Sequence, residues 1–197
     1  MEYGVVVAKS VAALRKALPE ILEDADNDLS PIFRELLSGL KDEFHRLDER
    51  IVSYDLQIKL ISSQSDACRR LMTIPGVGPM VATALTAAVA DAKVFKSGRE
   101  MSAWLGLVPR QCSTGGKPRL LGISKRGDTY LRKMVIHGAR SALRVAGKKQ
   151  DRCSKWVVDV ESRRGSNIAA VALANKIVRA AWVILSKGEE YKMAATA

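Results

Sequence analysis

Ser113 stands next to Cys112 and ahead of Thr114-Gly115-Gly116, with Arg110, Lys117, Arg119, Lys125 and Arg126 close by along the chain. A serine hydroxyl can attack a phosphodiester when a neighbouring group takes its proton. Guanidinium and ammonium groups can then hold the phosphate and stabilise the developing charge. The same residues also describe a turn serine in a basic, glycine-rich loop, and composition alone favours that plainer reading. No other catalytic constellation is complete. The chain has no P-loop lysine motif, no GxSxG and no HExxH. Asp91, Glu100, Asp128, Asp159 and Glu161 are too scattered to pair around two metals. Three cysteines, Cys68, Cys112 and Cys153, without CxxC spacing and only two histidines argue against structural zinc and a disulfide framework. They point instead to a reducing compartment, the cytoplasm.

A second group could act on phosphate without breaking it. Leu71 to Leu85 reads as a helix end, a Gly76-Val77-Gly78 turn and an Ala-rich second helix, which is the helix-hairpin-helix pattern. Glycine permits positive φ and close backbone approach, so hairpin amides at the start of the next helix can face a phosphate oxygen. A tight interhelical turn would need the same glycines. Charge favours the phosphate reading. Of the net +11, residues 1–66 contribute −5 and residues 67–197 contribute +16. Between Arg110 and Arg152 there are 12 basic residues, Arg132 and Lys133 among them, against Asp128 and Asp151. Cations concentrated in this way suit a polyanion such as DNA, whereas a solubilising surface would disperse them.

The elements that must position these groups read as predominantly α. Ser10 caps a first helix in which Pro19 is a candidate break, and Ser30-Pro31 opens a long one. On the long helix Phe33, Leu37, Leu40, Phe44, Leu47, Ile51, Tyr54, Ile58 and Ile61 alternate at intervals of four and three. That is a heptad seam, expected to make a coiled-coil arm that brings copies of the chain together. Further helices begin near Ser97, at Asp128, at Asp151 and after Ser166, the last closed by Lys187-Gly188. Val108–Arg119 reads as a loop. No apolar run approaches the roughly 18–20 residues of a membrane span, and Met1-Glu2-Tyr3 opens no signal peptide.

Five segments together resemble one family: Leu71–Gly78 (LMTIPGVG), Phe95–Glu100 (FKSGRE), Ala103–Arg110 (AWLGLVPR), Ser113–Lys117 (STGGK), and Gly122–Asp128 (GISKRGD) with Leu131-Arg132. They look like the C-terminal transposase domain of the DEDD-type insertion-sequence transposases, related to the Piv DNA invertase and to bridge-RNA-guided recombinases. The resemblance implies an all-α fold, with a coiled-coil arm followed by a helix-hairpin-helix-containing domain. It also implies DNA and a guide RNA as partners. In that family a serine in this domain forms a covalent phosphoserine link to DNA, and the matching position is Ser113, set by its distance from Ser124-Lys125-Arg126-Gly127. An N-terminal RuvC-like domain carries an Asp-Glu-Asp-Asp set for Mg²⁺. The sequence here departs from the pattern in showing neither that core nor that tetrad, so no cofactor is expected in this chain.

The expected organisation is a helical junction over 1–29, a coiled coil over 30–66, the transposase C-terminal domain over 67–192 and a tail over 193–197. In the complete enzyme Ser113 would be the nucleophile. Arg110, Lys117, Arg119, Lys125 and Arg126 would grip the scissile phosphate or neighbouring backbone, Gly76 and Gly78 would present amides, and Arg132 and Lys133 would line nucleic acid. This chain by itself, as a fragment or truncated copy, is expected to be inactive. The rivals are a non-catalytic dimeric helix-hairpin-helix binder, which includes a transposase remnant, and a repair-type structural subunit.

Overall fold

The computed structural model describes residues 4–114 and 117–192. Expectations that fall on Gly115, Gly116 and the tail lie outside the described residues, as do the side chains of Ser113, Thr114, Lys117 and Pro118. The chain divides into two units between Gln57 and Ile58.

The first unit holds α1 (Val11–Glu23) and most of α2 (Pro31–Gln64). Ser10 caps α1 by accepting the Ala13 amide at 3.0 Å, and Pro19 is accommodated within the helix. Arg34 organises the connection, donating to Leu22 O at 3.0 Å, Asp24 O at 2.6 Å and Asn27 Oδ1 at 2.5 Å. Arg15 links α1 to α2 through Asp48 at 2.7 Å and lies 5.9 Å from the Phe44 ring centroid. The 34 residues of α2 extend about 50 Å. Leu40, Leu47, Ile51, Tyr54 and Ile61 of the heptad seam are exposed along it.

The second unit is a helical domain built around α8 (Ser166–Lys187). That helix is long and apolar enough to cross a membrane, a correction to the sequence reading. Its composition has another cause here. Ala169, Ala170, Leu173, Ala174, Ile177, Val178, Ala181 and Ile184 are all buried in the domain core. Against α8 pack α3 (Asp66–Leu71), α5 (Gly98–Trp104), α6 (Thr129–Ala146) and α7 (Arg152–Arg164), and α4 (Pro79–Ala88) packs against α3 and α6. Each helix start carries its own chemistry. Ser97 caps α5 by accepting the Glu100 amide at 3.4 Å, and Glu100 Oε2 accepts the Lys96 amide, one residue before the cap, at 2.6 Å. Asp128 accepts the Leu131 amide at 2.8 Å, and Asp151 accepts those of Cys153 and Ser154 at 3.0 Å.

The Val108–Arg119 loop reading is corrected. Pro109–Thr114 (β1) and Lys117–Ile123 (β2) pair antiparallel, with Ser113 opposite Pro118 and Cys112 opposite Arg119. Two strands separated by Gly115-Gly116 carry the two-residue glycine signal of a hairpin. The apolar alternation that usually announces strands is missing because most of the described side chains of the ribbon are exposed, Arg110, Gln111, Cys112, Arg119, Leu120 and Leu121 among them, and Ile123 at its root packs against the core. The remainder of the domain is helical, as expected.

Candidate nucleic-acid interface and reaction centre

Ser113 sits on a ribbon whose root is firmly held. Ser124 donates its amide to Val108 O at 2.8 Å and Lys125 to Gly106 O at 3.1 Å, which ties both ends of the hairpin to the end of α5. Lys125 takes φ +56, and Gly106 and Gly127 take φ +70 and +95. A methyl group on Gly127 would collide with the Trp104 carbonyl and one on Gly106 with the backbone of Arg126, so the two segments approach as closely as glycine permits.

Arg132 closes this root from beneath. The sequence places it among the nucleic-acid contacts, but it is 8% exposed and its donors are committed inward. Nη1 donates to Leu105 O at 3.2 Å, Gly127 O at 3.3 Å and Arg126 O at 3.4 Å, and Nη2 to Thr129 Oγ1 at 3.2 Å. A guanidinium presents several donors in a fixed fork, which suits a cluster of carbonyls converging from two segments. Arg132 therefore positions the hairpin. The sequence carries a signal for this: Arg132 lies three and seven residues before Val135 and Ala139, on the face α6 buries.

The remaining cations face outward. Arg110 and Arg119 on the ribbon, Lys125 and Arg126 at its root, and Lys133 on α6 are exposed. Further exposed residues continue the α6 stripe at His137, Arg140 and Arg144, with Lys148 just beyond the helix. Arg140 donates to Asn167 Oδ1 at 2.9 Å. The acids near this surface are otherwise engaged, Asp128 in capping α6 and Asp159 with Arg163 at 2.7 Å. Among the described residues no set of His, Cys, Asp and Glu side chains is grouped to hold a metal ion.

Gly76 and Gly78 divide the two roles the sequence left open for them. Gly76, at φ +89, lies against α6, where a methyl group would stand 2.5 Å from Gly138 O. A methyl group on Gly138 would in turn strike Gly76 O, so this pair sets the close approach of turn and helix. Gly78 has open space beside it and begins α4 with Pro79 at the first helical position. No side chain caps α4, which leaves its first amides available to an external acceptor.

Residues 68–154, which include the basic, serine-bearing hairpin, match the family described as Transposase IS116/IS110/IS902, so this part of the chain is similar to a transposase domain. Similar curated proteins carry corresponding names. A "Probable family 20 transposase" of Pseudomonas aeruginosa is 43% identical over 97% of this chain and 57% of its own length. The "Transposase for insertion sequence element IS1111A" of Coxiella burnetii is 41% identical over 98% of this chain and 53% of its own. The corresponding protein of element IS1328 in Yersinia enterocolitica is 36% identical over 95% and 55%. This chain spans about half the length of the curated relatives it matches.

Proposed function

We propose that this chain acts in DNA transposition as the helical half of an insertion-sequence transposase, binding DNA and contributing Ser113 as nucleophile to a composite site. The observation that carries this reading is the band of exposed cations running from the Ser113 hairpin onto α6. Arg110, Arg119, Lys125, Arg126, Lys133 and Arg144 form no ion pair with an acidic side chain among the described residues. Unpaired cations in such a band suit the phosphates of a duplex or of a guide RNA lying across it. The opening amides of α4 at Gly78 add a phosphate contact from backbone alone.

In this reaction Ser113 Oγ bonds to the scissile phosphorus and one P–O bond of the DNA backbone breaks. The serine proton ends on the released sugar hydroxyl. Exchange of one phosphate ester for another keeps the bond energy in the phosphoserine link, ready for the reverse step on a new strand. Among the described residues no His, Cys, Asp and Glu side chains are grouped to hold a divalent metal, and a RuvC-like domain would bring Mg²⁺. The exposed heptad seam of α2 supports pairing with a second copy, whose knobs would cover Leu40, Leu47, Ile51 and Tyr54.

Salt dependence tests the nucleic-acid surface. Changing Lys133, Arg144 and Lys148 together to Gln is expected to flatten the slope of log Kd against log salt by about 0.9 for each phosphate left unneutralised, roughly two to three in all for a duplex. A slope equal to that of the parent would remove α6 from the interface.

A further inference from the structure

On the second unit, away from the Ser113 hairpin, lies a cavity of about 840 Å³. Its walls come from the start of α5, the C-terminal end of α6, the start of α7, the middle of α8 and the turn before α4. The volume falls within the roughly 300–1,000 Å³ typical of sites for small organic ligands. Its lining combines two kinds of side chain that rarely meet by accident. The floor is aliphatic and aromatic, with Leu173, Ile177, Trp156 and Trp182. The Trp182 ring is fixed by its Nε1–H, which donates to Ala92 O at 3.0 Å and Phe95 O at 3.1 Å.

The rim is cationic. Arg99, Lys149 and Arg152 are exposed at the mouth, and none forms an ion pair or side-chain hydrogen bond among the described residues. Lys176 sits deeper, half-buried, with Nζ 3.7 Å from the Trp156 ring centroid and no carboxylate partner among the described residues. The carboxylate in the lining, Asp151, is committed to capping α7 and accepts the Ser154 hydroxyl at 2.6 Å. That hydroxyl bond is the main influence holding the Asp151 carboxyl below its ordinary range. Burial pushes the Cys153 thiol up, with Lys176 opposing, so this wall presents a neutral thiol beside an unmatched cation.

An apolar, ring-lined floor under unmatched cations calls for a ligand with a flat body and an anionic group. Ile74 and Pro75, which immediately precede the Gly76–Gly78 turn, form part of the same wall. The pocket therefore adjoins the place where a backbone phosphate is proposed to bind.

We infer that this pocket receives one unpaired nucleotide of a bound single strand, its base against the Trp156 and Trp182 rings and its phosphate among Arg99, Lys149, Arg152 and Lys176. Base–aromatic contact flanked by cations is how single strands are held without reading their sequence. The inference rests on the nucleic-acid reading above, and it extends that reading from duplex backbone to an unstacked residue of DNA or RNA.

The test compares the full chain binding three probes of equal length, oligothymidine, oligouridine and a blunt DNA duplex, followed by tryptophan fluorescence and by competition. Ala180→Phe fills the pocket without altering charge, and Lys149→Gln with Arg152→Gln weakens its rim at exposed positions. Either change is expected to weaken single-strand binding about tenfold, to reduce the single-strand quenching of tryptophan, and to leave duplex affinity within about threefold. The probe whose binding falls identifies the strand as DNA or RNA. If Ala180→Phe lowers the unfolding midpoint, the rim variant decides through its ratio of single-strand to duplex affinity. An unchanged ratio overturns the pocket, as does a parent chain that binds duplex and ignores both single strands. A parent that binds none of the three probes overturns the nucleic-acid reading itself.

Discussion

Ser113→Ala is expected to abolish the denaturant-stable protein–DNA adduct formed when this chain is combined with a RuvC-like half from a relative, guide RNA, Mg²⁺ and labelled donor DNA. The loss should be about a thousandfold or more, because on the proposed reaction the adduct would be the phosphoserine ester and alanine has no oxygen with which to make it. DNA affinity should stay within about twofold, since one uncharged hydroxyl adds little beside the cations of the ribbon and α6. Denaturing electrophoresis reads the adduct and a filter or mobility assay reads the binding. An adduct that persists in Ser113→Ala would assign the nucleophile to another residue. No adduct from the unaltered chain in any combination, with binding intact, would favour the non-catalytic binder.

Arg132→Met should produce a large loss of stability for a charged residue on α6. Methionine approximates the aliphatic stem and removes every donor. The carbonyls of Leu105, Arg126 and Gly127 are then all deprived of Nη1, and Thr129 Oγ1 of Nη2. Leaving buried acceptors unsatisfied costs about 1–3 kcal/mol each, and their partial access to water at the hairpin root brings the sum to roughly 3–5 kcal/mol. Chemical denaturation measures it directly. Arg132→Lys should recover only part of the loss, because an ammonium offers a single point of donation where the guanidinium reaches two segments at once. The alternative use of Arg132, as a phosphate contact, makes the opposite forecast: unchanged stability and weaker, less salt-sensitive DNA binding.

These two residues show which features a sequence exposes and which it hides. Helix starts are legible at Ser10, Ser97, Asp128 and Asp151 because a cap is decided within four residues and its chemistry is carried by the capping side chain itself. As a candidate nucleophile Ser113 is proposed only through the resemblance of five segments, since a serine two residues before a glycine pair has no local feature that separates nucleophile from turn. The hairpin bearing it escapes a reading by periodicity because an exposed ribbon has no apolar face to alternate with. Arg132 misleads for a related reason. Its charge places it with Lys133, while its register places it with Val135, and only the packing of α6 against the hairpin root makes register decisive. The aromatic pocket is beyond reach of any local pattern, since Trp156, Trp182, Lys149 and Pro75 lie on different elements and meet only after α8 is surrounded.

The contact between Gly76 and Gly138 has a consequence for how this domain tolerates change. Each glycine occupies the space that the other's missing methyl group would need. Alanine at either position forces turn and helix apart, and once they have separated the second alanine meets less resistance. The two losses are therefore sub-additive in a double-mutant cycle, with a coupling on the order of 1 kcal/mol or more. Mutationally the pair behaves as one locus. A lineage that abandons either glycine must re-set the spacing of the α4 turn from α6, and with it the alignment of the Gly78 amides to the cations of that helix.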